Sequence, residues 1–215
     1  MQDYQREFIK FAIQHNVLCF GEFTLKSGRL SPYFFNSGLF NDGSSLWQLG
    51  RFYAWAIQSS GIEFDMLFGP AYKGIPLASA VAIALSQDHQ RVVPYCFNRK
   101  EFKDHGEGGM TFGAPMQGKI LIVDDVISAG TSVNLSVGMI RSARATPAGA
   151  AIALDRQERG LGQSSAVQEV EQQHGLKVIS IITLDDVIEY LEKQAGLSDE
   201  LNRIKHYLNQ YGVTH

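Results

Sequence analysis

Residues Ile120 to Ser132 read "ILIVDDVISAGTS". Four apolar side chains in a row, Ile120 to Val123, are what a strand buried on both faces requires. Two carboxylates, Asp124 and Asp125, stand where that strand should end. Neighbouring strand residues point to opposite faces, so the pair can serve one ligand only where the strand breaks. Ser128, Thr131 and Ser132 then offer hydroxyls, while the small Ala129 and Gly130 let the backbone approach a ligand. "TSVNLSVGMIRSAR" predicts a helix at once, so its free N–H groups and positive dipole end face the loop. That turn suits a phosphate. Carboxylates repel phosphate, and their partners are hydroxyls or a bound cation. Together these parts describe a phosphorylated sugar.

Outward from this stretch the chain alternates. "FDMLFG", "RVVPYCF", "KILIVD", "GAAIALD" and "KVISIITL" read as strands, and "IPLASAVAIAL", "TSVNLSVGMIRSAR" and "SSAVQEVEQQHG" as the helices between them. Thr183 can cap a further helix, "DDVIEYLEK", with Asp186 at the capping-box position, and "DELNRIKHYLNQYG" reads as a last helix. Apolar strands alternating with helices predict an α/β fold, a mainly parallel twisted sheet flanked by helices. Ligands in such folds collect at the carboxyl ends of the strands. Before the alternation lies a small unit of different character. It holds a helix near Asp3 to His15 and "LCFGEFTLKSGRLSPYFF", read as two short strands joined at "KSGR". A helix then starts at Ser44 and ends at Gly61. One domain over 1–215 is expected, with the N-terminal unit at about 1–43, the core at about 44–215 and a mobile loop near 98–113.

The 215 residues are 45% hydrophobic and carry a formal net charge of -3. This slightly acidic balance disfavours nucleic acid and anionic membranes, which select basic surfaces. Cys19 and Cys96 make no disulfide framework, and each reads as a small buried hydrophobe. The start "MQDYQREFIK" is not a signal peptide, and the apolar run "AVAIAL" is far shorter than the roughly 18 residues of a membrane span. A cytoplasmic protein is expected.

Three other segments bear on chemistry. "GPAYKG", Gly69 to Gly74, follows a strand at the same predicted edge and projects Tyr72 and Lys73 there. "GAPMQGK" matches the GxxxxGK of a P-loop, but Ile120 stands where Ser or Thr should be and the segment precedes a strand, so it reads as a turn. "NRKEFKDHGEGG" gathers Arg99, Lys100, Lys103 and His105 on a glycine-rich segment. A lid of this kind could bring cations to a phosphate site and exclude water on closure. The remaining histidines have no metal-ligand spacing.

These residues carry a family resemblance. "ILIVDDVISAGTS" resembles the phosphoribosyl-diphosphate-binding motif of type I phosphoribosyltransferases, and "NRKEFKDHGEGG" is similar to the flexible loop of the orotate enzymes of that family. "FTLKSGRLSPYFFN", Phe23 to Asn36, resembles their N-terminal hood, and "GPAYKG" their diphosphate loop. The resemblance implies transfer of a phosphoribosyl group from 5-phosphoribosyl 1-diphosphate to orotate, with magnesium expected on the substrate diphosphate. It implies that Asp124 and Asp125 hold the ribose hydroxyls, and that Val126, Ile127, Ser128, Ala129, Gly130, Thr131 and Ser132 bind the 5-phosphate. Lys26, Tyr72, Lys73 and Lys100 would contact the donor. Arg99, Lys103 and His105 would reach a neighbouring subunit's site in a two-fold homodimer, Lys103 and His105 assisting the leaving group. Lys26, Phe34, Phe35, Ser128 and Arg156 would surround orotate. The alternatives are a related enzyme using uracil or a purine, and a non-catalytic sensor of the donor.

Overall fold

The computed structural model describes residues 1–25, 27–103, 109–160 and 162–213, with side chains except at 100–103 and 109. Helix α1 (Asp3–Gln14) turns Phe8, Ile9 and Ala12 inward. Strands β1 (Leu18–Thr24) and β2 (Leu30–Phe35) pair antiparallel, Leu18 opposite Phe35. Burial alternates along β2, as its two-residue period requires: Ser31, Tyr33 and Phe35 are buried, Leu30 and Phe34 exposed. A 3-10 turn, Ser37–Leu39, follows, with the Asn36 side chain accepting from the Gly38 N–H. Helix α2 (Gly43–Ser60) begins a residue before the serine singled out in the sequence. Asp42 is its cap, and its carboxylate accepts from the N–H groups of Ser44 and Ser45.

The main sheet contains, among the described residues, β3 (Met66–Gly69), β4 (Tyr95–Lys103), β5 (Gly109–Gly113), β6 (Lys119–Val123), β7 (Thr146–Asp155) and β8 (Lys177–Thr183). Their order is β5-β4-β3-β6-β7-β8. β4, β3, β6, β7 and β8 are mutually parallel, and β5 lies antiparallel to β4 at one edge. Helices α3 (Gly74–His89), α4 (Thr131–Ser142) and α5 (Ala166–His174) lie between strands. Helices α6 (Leu184–Glu192) and α7 (Ser198–Tyr211) follow β8, and the Thr183–Asp186 capping box is present at the start of α6.

Two apolar clusters cover the two faces of the sheet. Leu121 and Val123 of β6 enter one, with Phe8, Tyr33, Leu67, Leu85, Ile182 and Tyr207; the N-terminal unit is therefore packed into the same core as the sheet. Ile120 and Ile122 enter the other, with Phe68, Val133, Ile140 and Val170 from β3, α4 and α5. Each such fully buried side chain contributes about 1.5–3 kcal/mol, so β6 anchors the sheet from both sides.

The charged stretch read as a loop near 98–113 carries strand at both ends. β4 continues to Lys103 and β5 starts at Gly109, with Asn98 opposite Thr111 and Lys103 opposite Gly109. An edge hairpin tolerates charge because one side of it stays in water. Residues 104–108 lie outside the described residues. Cys96 is fully buried, and burial pushes its thiol up to about 12. Cys19 is only half-buried, so the small-hydrophobe reading fits it less well. Among the described residues, no helix is long and apolar enough to cross a membrane.

Candidate active site

The strand order reverses between β3 and β6: the chain goes from β3 outward to β4 on one side, and β6 is followed by β7 on the other. Connections leaving the carboxyl ends of β3 and β6 thus diverge and open a crevice. "GPAYKG" and "DDVISAGTS" are those two connections. Gly74 lets them stand together, because a Cβ there would lie 2.5 Å from Pro70 Cδ and 2.8 Å from the Val123 carbonyl oxygen. The first connection contains a cis peptide bond at Ala71–Tyr72. It is tied to β4 by the Ala71 N–H, which donates to Asn98 Oδ1 at 2.7 Å.

β6 ends at Val123, and the expected break in the strand is where the acids stand. Asp124 and Asp125 are both 7% exposed. The Asp125 N–H donates to Asp124 Oδ1 at 2.9 Å, and the buried Tyr53 hydroxyl donates to the Asp124 carbonyl oxygen at 2.7 Å. Lys73 Nζ pairs with Asp125 Oδ2 at 2.5 Å, and Ser37 Oγ donates to the same oxygen at 2.8 Å. Burial pushes the Asp124 carboxyl up from its ordinary 3.8 to about 6 and the Asp125 charge adds to this, while the Ser132 hydroxyl and Lys73 oppose it. The acids are therefore buried, their carboxyls held by one cation and two hydroxyls, with the Tyr53 hydroxyl on the Asp124 backbone.

After them the chain runs through Val126 to Gly130 into α4, whose cap is Gly130 at φ 68. A Cβ at Gly130 would come within 3.1 Å of Val170 on α5, so glycine meets both a left-handed backbone and close packing. Thr131 is exposed and Ser132 half-buried at the first turn of α4, beside its unpaired N–H groups.

A second polar cluster lies at the end of β7. Glu158 Oε1 accepts from Arg156 Nε at 3.1 Å, Arg156 Nη2 at 2.8 Å and the Tyr33 hydroxyl at 2.6 Å. Glu158 Oε2 accepts from the Tyr207 hydroxyl at 3.0 Å. The Arg156 guanidinium lies over the Tyr33 ring, 4.6 Å from its centroid. Burial opposes the Arg156 charge, but Tyr33 and Glu158 outweigh it and its pKa is raised. One segment serves both clusters, since Tyr33 enters this one and Ser37 the acid pair.

The sequence-derived residues divide accordingly. Lys73, Asp124, Asp125 and Ser132 come together. Tyr72 is 67% exposed beside them. Arg156 stands in the second cluster. Phe34 is exposed and stacks on Phe23, 5.5 Å between centroids, whereas Phe35 is buried in the core, so the two rings do not share a face. Arg99 lies on β4 with its guanidinium 5.4 Å from the Phe112 ring centroid. Lys26 and His105, and the side chains of Lys100 and Lys103, lie outside the described residues. Among the described residues, no three His, Cys, Asp or Glu side chains group as a metal site. Ser37, Tyr53, Asn98 and Glu158 had not been singled out. Each acts through a contact distant in sequence; only "NSG" after "SPYFF" offered a local sign, as a turn beside the hood.

Residues 40–187 match the phosphoribosyl transferase domain family. The chain is 63% identical over 213 residues to orotate phosphoribosyltransferase of Thioalkalivibrio sulfidiphilus, covering 99% of this chain and 100% of that one. Identity to the Yersinia enterocolitica orotate phosphoribosyltransferase is 60%, with the same coverage. A crystal structure of orotate phosphoribosyltransferase from Francisella tularensis superposes with TM-score 0.88 at 40% identity, over 96% of this chain and 99% of that one. A likeness that spans the N-terminal hood, the β3 and β6 connections and the C-terminal helix alike leaves one conclusion: the chain belongs to the orotate phosphoribosyltransferases, within the phosphoribosyltransferase family.

Proposed function

We propose that this protein transfers the 5-phosphoribosyl group of 5-phosphoribosyl 1-diphosphate to orotate, giving orotidine 5'-phosphate and diphosphate. One observation carries the reading: a buried carboxylate pair, Asp124 and Asp125, sits between the Lys73 cation and the first turn of α4. Sugar hydroxyls suit the first, the leaving diphosphate the second and the 5-phosphate the third.

In this reading Asp124 and Asp125 accept from the ribose hydroxyls. The backbone N–H groups of 126–132, with the hydroxyls of Ser128, Thr131 and Ser132, take the 5-phosphate. Tyr72, Lys73, Lys26 and Lys100 meet the donor, with Arg99, Lys103 and His105 arriving from the second subunit of a homodimer. Phe34, Phe35, Ser128, Lys26 and Arg156 surround orotate. The Phe35 ring is buried, so its part would come from its backbone and by fixing β2, and the accessible ring is Phe34. The C1–O bond of the donor breaks heterolytically, its electron pair leaving on diphosphate while a ring nitrogen of orotate bonds C1 and gives up its proton to water or to the departing diphosphate. Lys73, Lys100, Lys103 and Arg99 would stabilise the departing charge, with Lys103 and His105 assisting the leaving group. No covalent enzyme intermediate is needed.

Magnesium fits this site as a passenger of the diphosphate. It dehydrates reluctantly and commonly binds through substrate phosphates, so it is expected on the diphosphate with no protein side chain assigned to it. Bound there, it would neutralise phosphate charge. The whole chain is taken to act as one domain, since the hood and the sheet share a core, and to work in the cytoplasm. The exposed Met110 and Phe112 on edge strand β5 are apolar groups a second subunit could cover.

The test is diphosphate release from the donor and magnesium with orotate, uracil, adenine and hypoxanthine in parallel. Turnover with orotate alone is expected. Turnover with another base would move the assignment to a relative of different specificity, and donor binding without turnover would leave a sensor.

A further inference from the structure

Three side chains from three distant parts of the chain converge on one carboxylate. Tyr33 comes from β2, Arg156 from the end of β7, and Tyr207 from α7, and all meet Glu158, whose side chain is 10% exposed. A carboxylate this dry needs its partners, and here it has four donated hydrogen bonds within 3.1 Å. The arrangement also fixes the guanidinium. Its Nε and Nη2 both point to Glu158 Oε1, while its face lies on the Tyr33 ring. A guanidinium held by one edge and one face has its plane set, and the Tyr207 hydroxyl meets it as well.

We infer that Glu158 is a positioning residue for the base: it orients Arg156 toward the orotate carboxylate and transmits the seating of the C-terminal helix, through Tyr207, to that contact. The inference rests on the reading that Arg156 holds orotate. Around Gln157 the backbone gives independent support for rigidity. The Gln157 side chain is 5% exposed and exchanges two hydrogen bonds with Asp185 at the start of α6, at 2.8 and 2.9 Å. The Val213 N–H donates to the Gln157 carbonyl, and Glu158 bridges to Gly212. Both flanks of Arg156–Glu158 are thus clamped to the C-terminal part of the chain.

Steady-state kinetics on wild type, Glu158→Gln, Tyr207→Phe, Arg156→Ala and the Arg156→Ala/Glu158→Gln double variant test it. Glu158→Gln keeps the shape but loses the charge that orders the guanidinium, and should raise the orotate KM by about ten-fold, the size of one charge-assisted hydrogen bond. The donor KM should stay within about two-fold, since the donor's partners lie in the other cluster. Tyr207→Phe keeps the ring packing and should move the orotate KM in the same direction by a smaller factor. In the Arg156→Ala background, Glu158→Gln should add nothing further. An effect that persists there, or one that falls equally on donor and orotate, is that of a merely structural residue and overturns the inference. A lower orotate KM in Glu158→Gln would mean that charge repulsion outweighs orientation, and also overturns it. If Arg156→Ala itself leaves the orotate KM unchanged, the base-site reading fails and takes the inference with it; if Arg156→Ala is impaired and Glu158→Gln is not, the inference alone fails.

Discussion

Replacing Asp124 by asparagine should make the protein more stable at neutral pH while weakening its hold on the donor. The carboxyl is 7% exposed, and its pKa is raised from 3.8 to about 6, chiefly by burial. An acid whose pKa is higher folded than unfolded leaves the native state holding more protons between the two values. Its contribution is therefore intact below the unfolded value and is lost as pH rises through the folded one. Between 3.8 and about 6, at about 1.4 kcal/mol for each pH unit, the ionised carboxyl costs the folded state roughly 3 kcal/mol at neutral pH. Asparagine keeps an acceptor for the Asp125 N–H but brings an amide that needs a partner, so a net gain of about 1–2 kcal/mol is expected. Urea unfolding of wild type and variant near pH 7.5 and near pH 4 reads this directly. The variant's advantage should be present at the higher pH and mostly gone at the lower. Calorimetry with the donor and magnesium should show binding weakened by about ten-fold or more, for the loss of a charged acceptor. A variant no more stable than wild type at neutral pH, or equally favoured at both pH values, would refute the account of Asp124 as a strained, buried charge.

Other outcomes follow from the same geometry. If each site is shared between two subunits, mixing inactive Lys103→Ala with inactive Asp125→Asn protomers should restore about a quarter of the wild-type activity, because half of the dimers at random mixing carry one intact site; no recovery on mixing exchangeable subunits would show the sites to be self-contained. Ser37→Ala removes the 2.8 Å hydrogen bond to Asp125 and should raise the donor KM about three- to ten-fold with little effect on melting temperature; an unchanged donor KM would count against Ser37 as part of the site. Gly130→Ala forces a side chain into a left-handed backbone against Val170 and should cost about 1–2 kcal/mol in urea unfolding along with donor affinity. Tyr53→Phe should lower stability by about 1–2 kcal/mol, since it leaves the buried Asp124 carbonyl without that donor.

Much of the fold was legible because buried parallel strands must be apolar on both faces, and "ILIV" and "MLF" can be little else. The break after Val123 was readable too, since two acids could not continue such a strand. The β4–β5 hairpin was not. Its charges and glycines have poor strand propensity, and what makes it a ladder is pairing across residues that local pattern cannot see. Phe34 and Phe35 were both expected around orotate, and strand alternation puts their rings on opposite faces of β2. Lys73 and Asp125 were both picked out, but their ion pair depends on β3 and β6 being neighbours, which follows from topology. Glu158 was invisible for a related reason: its partners are at 33, 156 and 207, and no spacing encodes their meeting.

The Lys73–Asp125 ion pair has a bearing on which ligands the site will refuse. Each of these charges is answered by the other. A bare anion such as inorganic diphosphate would have to draw Lys73 away and leave Asp125 as a buried charge supported by Ser37 alone. A molecule that presents phosphate at one end and vicinal hydroxyls at the other gives both groups a new partner at once. On the proposed reading, the pair would favour a ligand that carries phosphate and hydroxyls together over a bare anion.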